Sequence, residues 1–295
     1  MFRSFSIWNS SEAKAQKMRF IPRLPQDNVN VSKTSALKEF FVLLGIISGV
    51  LLLIYLILGF ALNIIVDKIP PGVERGIGSF LSKEYKVKNS ETSPLEVKMQ
   101  KLLNGLVAKA PDLENGYKFN VQIVKNDDFN ALALPGGNIV VFSGLIREIQ
   151  SQNELAMILA HELGHFVHRD HLRKLGRGLV LVVISSVLFG ERSSVTQFME
   201  QTLITADLKF SRQQEIAADK FALDLLNEKY GHVAGAKELF QLMKEKKSVP
   251  AFFKFFSTHP DSEDRLNIIM EEMKRKGYFV KDVIPLDPVY RNIKQ

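Results

Sequence analysis

The chain has 295 residues, 46% of them hydrophobic and 24% charged, which suits one or two packed domains and excludes global disorder. It has no cysteine, so disulfides, thiolate metal sites and a thiol nucleophile are excluded. The net charge of +7 is spread among acids rather than gathered into a block. It therefore fits an anionic membrane surface and argues against a nucleic-acid partner.

Residues 1–39 form an N-terminal basic segment with seven Lys/Arg. Residues 40–66 follow without a charge, and only Ser48, Tyr55 and Asn63 are polar. As a helix this run is about 40 Å long, more than the roughly 30 Å of bilayer hydrocarbon. It is too long and too far from the start for a cleaved leader, so it predicts a single-pass transmembrane helix acting as a signal anchor. The twenty residues beyond it carry four Lys/Arg, so the positive-inside rule predicts the following domain on the periplasmic or extracytoplasmic side. Gly45 and Gly49 are spaced to let two such helices pack, a route to a homo-oligomer.

Residues 67–94 read as a linker, with Pro70-Pro71-Gly72 ending the span and Ser93-Pro94 opening the next helix. The domain proper is expected over 95–280, followed by a tail at 281–295. Leu95 to Lys109 has helical periodicity and Lys118 to Val124 alternates like a strand. Phe129–Leu134 and Asn138–Phe142 are strand-like runs split by Pro135-Gly136-Gly137, a hairpin signal. Beyond Gly144 the pattern is helical almost to Gly277, giving an α+β domain, mostly helical with a small β-sheet. Leu179–Phe189 is a second apolar run, too short to cross a bilayer. It is expected as a buried core helix, the alternative being a segment that dips into the membrane beside the anchor.

The chemistry lies at His161-Glu162-Leu163-Gly164-His165, an H-E-x-x-H sequence in an amphipathic segment that Ser151 or Asn153 could cap. On a helix the two histidines share a face one turn apart and can bind one metal ion. Glu162 points aside, free to take a proton from water that zinc has acidified as that water attacks a peptide carbonyl. A catalytic zinc needs a third protein ligand. His171 lies ten residues after His161, but where that arrangement needs a turn-forming glycine the chain has His168. The helix should then continue and carry His171 about 15 Å along its axis. Glu215 is the preferred third ligand. It shares a helix face with Asp219, which could hydrogen-bond a ligand imidazole.

Four blocks together resemble the membrane-associated gluzincin peptidases that include HtpX, the Oma-type proteases and the CAAX prenyl proteases. They are Asn130 to Gly137, the H-E-x-x-H helix, Ser211-Arg212 through Asp219, and Ser257-Thr258-His259-Pro260 with Arg265. With one clear span, the chain resembles a single-span bacterial quality-control member. The resemblance implies a minigluzincin-like fold, one Zn2+ per chain and a zinc metalloendopeptidase acting on misfolded or membrane-associated polypeptides. It implies an edge strand at Asn130 and Ala131 that pairs with extended substrate. His259 would lie near the metal, to stabilise the oxyanion or to fill the open position at rest. Asp219, Arg212 and Arg265 would support the ligands. A catalytically silent relative, kept as a chaperone or binding module, is the alternative. It would be favoured by loss of a ligand or of the base, and all four residues are present.

Overall fold

The computed structural model describes residues 35–84, 93–113, 117–190, 193–195, 197, 201, 209–260 and 263–292. The basic segment up to residue 34 lies outside them. The chain divides into two units, Met1–Gly49 and Val50–Gln295. The division falls inside the first helix, α1 (Ala36–Val66), whose apolar side chains are exposed along most of its length.

Residues 67–94, expected as a linker, contain a helix, α2 (Pro71–Glu84). Residues 85–92 lie outside the described ones. Helix α3 (Pro94–Val107) begins with a capping box: Ser93 accepts from the Glu96 amide while Glu96 reaches back to the Ser93 amide. Its buried face carries Met99, Leu102, Leu103 and Leu106.

Three strands follow: β1 (Asn120–Val124), β2 (Ala131–Leu134) and β3 (Asn138–Phe142). β2 and β3 form the expected antiparallel hairpin, and β1 runs parallel to β3 on its other side. The order β1-β3-β2 leaves β2 at an edge. In the turn, Gly136 and Gly137 take φ of 83° and 89°, conformations open to glycine. A side chain at Gly137 would also press on the Lys118 carbonyl, 2.6 Å from its Cβ.

The helical body comprises α4 (Ser143–Glu148), α5 (Gln152–Val167), α6 (Asp170–Phe189), α7 (Arg212–Tyr230), α8 (Ala236–Glu245), α9 (Pro250–Thr258) and α10 (Glu263–Lys276). Ser151 caps α5 by accepting from the Glu154 amide at 3.1 Å. Residues Asn153 to Phe166 of α5 are all buried, so this helix is the centre of the domain. Its sharpest contact is with α7. A Cβ on Gly164 would stand 2.9 Å from the Ala218 Cα, so only glycine allows the two backbones so close.

Three expectations are corrected. The helix does not continue past His168: Arg169 adopts a left-handed conformation (φ 53°) and α6 starts afresh at Asp170. Residues 281–292, the described part of the expected tail, pack on the domain: Pro285 bridges to Ser151, and Leu286 and Tyr290 are buried in the core. The Leu179–Phe189 run is not core. Leu179, Val183, Val187, Leu188 and Phe189 are exposed, Val187 at 80%.

Candidate metal centre

On α5 the Nε2 atoms of His161 and His165 stand 3.2 Å apart. Each ring is oriented from its far side. His161 Nδ1 is 2.9 Å from an Asp219 oxygen, and His165 Nδ1 is 3.0 Å from an Asp170 oxygen. A carboxylate accepts a hydrogen bond from Nδ1–H, so both Nε2 atoms turn lone pairs toward each other. Two lone pairs at that distance must share a cation, whether a proton or a metal ion. Glu215 places Oε2 3.6 Å from His161 Nε2 and Oε1 3.6 Å from His165 Nε2. Zinc bonds of 2.0–2.1 Å to nitrogen make a tetrahedron with an edge of about 3.3 Å, so these three groups fit a zinc ion. His259 completes the cluster: its Nδ1 is 3.4 Å from His161 Nε2 and 3.0 Å from Glu215 Oε1. The four ligand atoms lie within 4.8 Å of one another, and all four residues are buried.

The electrostatics agree with the geometry. Burial pushes the His165 and His259 imidazoles well below their ordinary values, reinforced by the charge of His161, so both stay neutral and able to ligate. His161 is raised: burial opposes its charge, but Asp219 and then Glu215 outweigh it. It is the ring that takes the shared proton when no metal does. Burial pushes the Glu162 carboxyl up to about 7, with the Glu215 charge adding to the rise, while His161, Lys174 and the Ala133 backbone oppose it. Neither Glu162 oxygen has a well-formed hydrogen bond, and Oε1 lies 3.9 Å from His259 Nε2. A buried carboxylate titrating near neutrality suits a general base.

Arg265 ties the second layer together. Its Nε and Nη2 each donate to an Asp219 oxygen at 2.8 Å, and Nη1 lies 2.8 Å from Glu215 Oε2. Burial alone would raise the Asp219 carboxyl, but Arg265 and His161 hold it well below the usual range. Asn130 is buried just ahead of β2, and its Oδ1 accepts from the Ala131 amide at 3.0 Å. Arg212 is not brought to the ligands. It pairs with Asp264, and both side chains are more than half exposed.

Four contributors were not anticipated. Asp170 holds His165 and is itself held by Gln214 Nε2 at 2.6 Å. Phe210 stacks on the His165 ring at 3.9 Å, and Lys174 Nζ lies over the Phe210 ring, 4.2 Å from its centroid. The spacing of Asp170 from His165 carried a signal only for a reader who knew the chain turns at Arg169. His171, weighed as an alternative third ligand, is buried. Its Nε2 is 2.7 Å from Glu74 Oε1, away from the metal cluster.

A H-E-x-x-H helix joined by a downstream glutamate, with carboxylates behind both histidines, is the site of a gluzincin-type zinc metallopeptidase domain. Residues 91–273, more than half of the chain, match peptidase family M48, and the chain belongs to that family. It is similar to the mitochondrial metalloendopeptidase OMA1 of Arabidopsis thaliana, 30% identical over 162 residues, covering 53% of this chain and 32% of that protein. It is also similar to the metalloprotease LoiP of Escherichia coli strain K12, 30% identical over 171 residues, covering 55% and 66%. The beta-barrel assembly-enhancing protease of Yersinia pestis is 29% identical over 176 residues, covering 56% and 36%. The matched regions thus span from about a third to just under two thirds of these relatives' lengths.

Proposed function

We propose that this protein is a membrane-anchored zinc endopeptidase of protein quality control, cleaving extended segments of misfolded or membrane-associated proteins. The observation that carries this is the pair of facing Nε2 lone pairs, each fixed by a carboxylate and flanked by Glu215. That arrangement is costly to bury unless a cation belongs there. His161, His165 and Glu215 would hold the zinc, which polarises a peptide carbonyl and acidifies a water. Extended substrate would add to the free edge of β2 from Asn130 and Ala131 onward, since backbone pairing accepts many sequences. Glu162 takes the proton of the attacking water and delivers it to the leaving amine. His259, whose Nδ1 lies among the same cluster of atoms, could also hold the zinc at rest and would then have to move aside for substrate. A silent binding module would gain nothing from Glu162, a buried carboxylate without a well-formed hydrogen bond.

The anchor supports a site close to the bilayer. Helix α1 is long and apolar enough to cross a membrane. Arg169 Nη1 donates to the Val66 and Ile69 carbonyls at its end, both at 2.7 Å. Arg169 is only four residues past His165, about 6 Å of helix rise. Substrate segments near the membrane surface are therefore the ones within reach.

The test is metal analysis of the purified full chain in detergent beside a casein-degradation assay. The wild type should carry one zinc and degrade casein. Glu162→Gln should keep the zinc and lose activity by a factor of about a hundred or more. A metal-free wild type, or a fully active Glu162→Gln, would sink the reading.

A further inference from the structure

Among the described residues, the exposed apolar stripe on α6 has no partner in the domain's core. Charges on this helix are confined to its first half: Asp170, Arg173, Lys174 and Arg177. From Leu179 to Phe189 there is none, and Leu179, Val183 and Val187 recur every fourth residue on one exposed face, with Leu188 and Phe189 beside them. Water is a poor neighbour for such a surface, and monomeric soluble domains rarely present one.

The first half of the same helix is joined to the end of α1. Besides the Arg169 contacts, Arg173 Nη2 lies 2.7 Å from Asp67 Oδ1. One turn further, a Cβ on Gly176 would meet Leu62 Cδ2 at 2.9 Å, so glycine lets α6 lie against α1. As α6 advances from Arg169 to Gly176, its neighbours on α1 retreat from Val66 to Leu62. The helices therefore run antiparallel where they meet, and beyond that contact each carries exposed apolar side chains: Leu179, Val183 and Val187 on α6, and Phe60, Ile57 and Leu53 on α1. The polar groups in the stripe segment are already satisfied: Ser185 and Ser186 both donate to the Val182 carbonyl, at 2.8 and 2.9 Å.

We infer that residues Leu179–Phe189 of α6 are inserted in the lipid leaflet in which α1 ends, as a short element lying beside the anchor without crossing the bilayer. Eleven helical residues reach about 16 Å, roughly half the hydrocarbon thickness. A helix hides its own backbone polar groups, so no unpaired amide or carbonyl enters the lipid. Arg173 and Arg177 then lie at the headgroup level, where cations are favourable against anionic lipid. This inference rests on α1 being in the membrane. It goes further by making the domain a two-point membrane reader, with the α5–α6 junction, and so His165, fixed near the lipid surface.

The absence of native cysteine makes the test direct. Single variants Val183→Cys, Val187→Cys, Ile57→Cys and Glu228→Cys of the full chain are labelled with a polarity-sensitive fluorophore. They are reconstituted into vesicles of phosphatidylcholine and phosphatidylglycerol carrying a nitroxide on the acyl chain. Labels at Val183 and Val187 should be blue-shifted and quenched as strongly as the label at Ile57, while Glu228, exposed on α7, stays unquenched. If Ile57 is quenched and Val187 behaves like Glu228, the inference fails and the anchor stands. If Ile57 is unquenched too, both fail. A Val187 label that is blue-shifted, unquenched by lipid and cross-linkable to a second copy would assign the stripe to a protein contact and overturn the inference.

Discussion

Each ligand imidazole is oriented by a carboxylate on its far nitrogen, and the two carboxylates reach it from different helices, Asp219 from α7 and Asp170 from α6. The ligand assignment makes contrasting predictions for residues that look equivalent in the sequence. Glu215→Gln should lower zinc content and abolish proteolysis, because it removes an anionic ligand and leaves its partner Arg265 facing a neutral group. His171→Ala should leave zinc content nearly intact, since its Nε2 is committed to Glu74. Metal analysis of the two variants side by side checks this, and the reverse pattern would displace Glu215. His259 distinguishes two mechanisms. With its Nδ1 3.0 Å from Glu215 and 3.4 Å from His161, it sits where a resting blocker sits. His259→Ala is therefore expected to raise peptidase activity with zinc content unchanged. A fall in kcat of roughly tenfold to a thousandfold would instead assign it to the oxyanion. Glu215 and Asp219 were readable because a four-residue spacing puts two side chains on one helix face. Asp170 was not, because its approach depends on the left-handed turn at Arg169.

Among elements, the pairing of α5 with α7 decides whether the two halves of the site meet. Gly164 falls inside the H-E-x-x-H run, and its lack of a side chain brings Ala218, one residue from Asp219, into backbone contact. In Gly164→Ala the new methyl would lie 2.9 Å from the Ala218 Cα, 3.1 Å from its carbonyl oxygen and 3.2 Å from its Cβ. Backbone cannot swing aside as a flexible side chain can, so α7 must move and take Glu215 with it. Overpacking of this kind typically costs about 1–3 kcal/mol. Gly164→Ala should lower the unfolding midpoint and weaken zinc retention against a chelator, although no ligand has been changed. Unaltered zinc retention would show that α7 is placed by other contacts.

At the scale of the whole domain, helix α2 is tied to the sheet and to α6 through one buried carboxylate. Glu74 of α2 is fully buried, accepts from the Gly136 amide at 3.0 Å and meets His171 Nε2 at 2.7 Å, and Tyr117 donates to its other oxygen. It thus joins α2 to the hairpin turn and to α6. Burial would raise its pKa, but His171, Tyr117 and Gly136 bring it down from 4.5 to about 2. A carboxyl lowered on folding adds stability that is fully present above about pH 4.5 and is lost as pH falls toward 2. At one pKa unit per 1.36 kcal/mol, that contribution is at most about 3 kcal/mol. Glu74→Gln should lower the unfolding midpoint at neutral pH and flatten its fall between pH 4.5 and 2. An unchanged acid profile would show that Glu74 is not the coupling group. The N-terminal Lys/Arg excess predicts that protease added to intact spheroplasts reaches residues 67–295, and protection of that region until lysis would reverse the topology.

Local spacing alone determined a good deal. The long apolar helix α1 follows from uninterrupted apolar length, and the hairpin from Pro-Gly-Gly between alternating runs. The histidine pair and the Glu215–Asp219 pair follow from the 3.6-residue turn, which fixes what shares a face within one element. Tertiary structure decided whatever depends on how two elements approach each other. It placed Asp170 behind His165 and brought His259 in among the ligand atoms. It sent Arg212 to the surface and His171 to Glu74. It also turned the Leu179–Phe189 stripe outward, because composition marks a segment as apolar without saying whether protein or lipid will cover it.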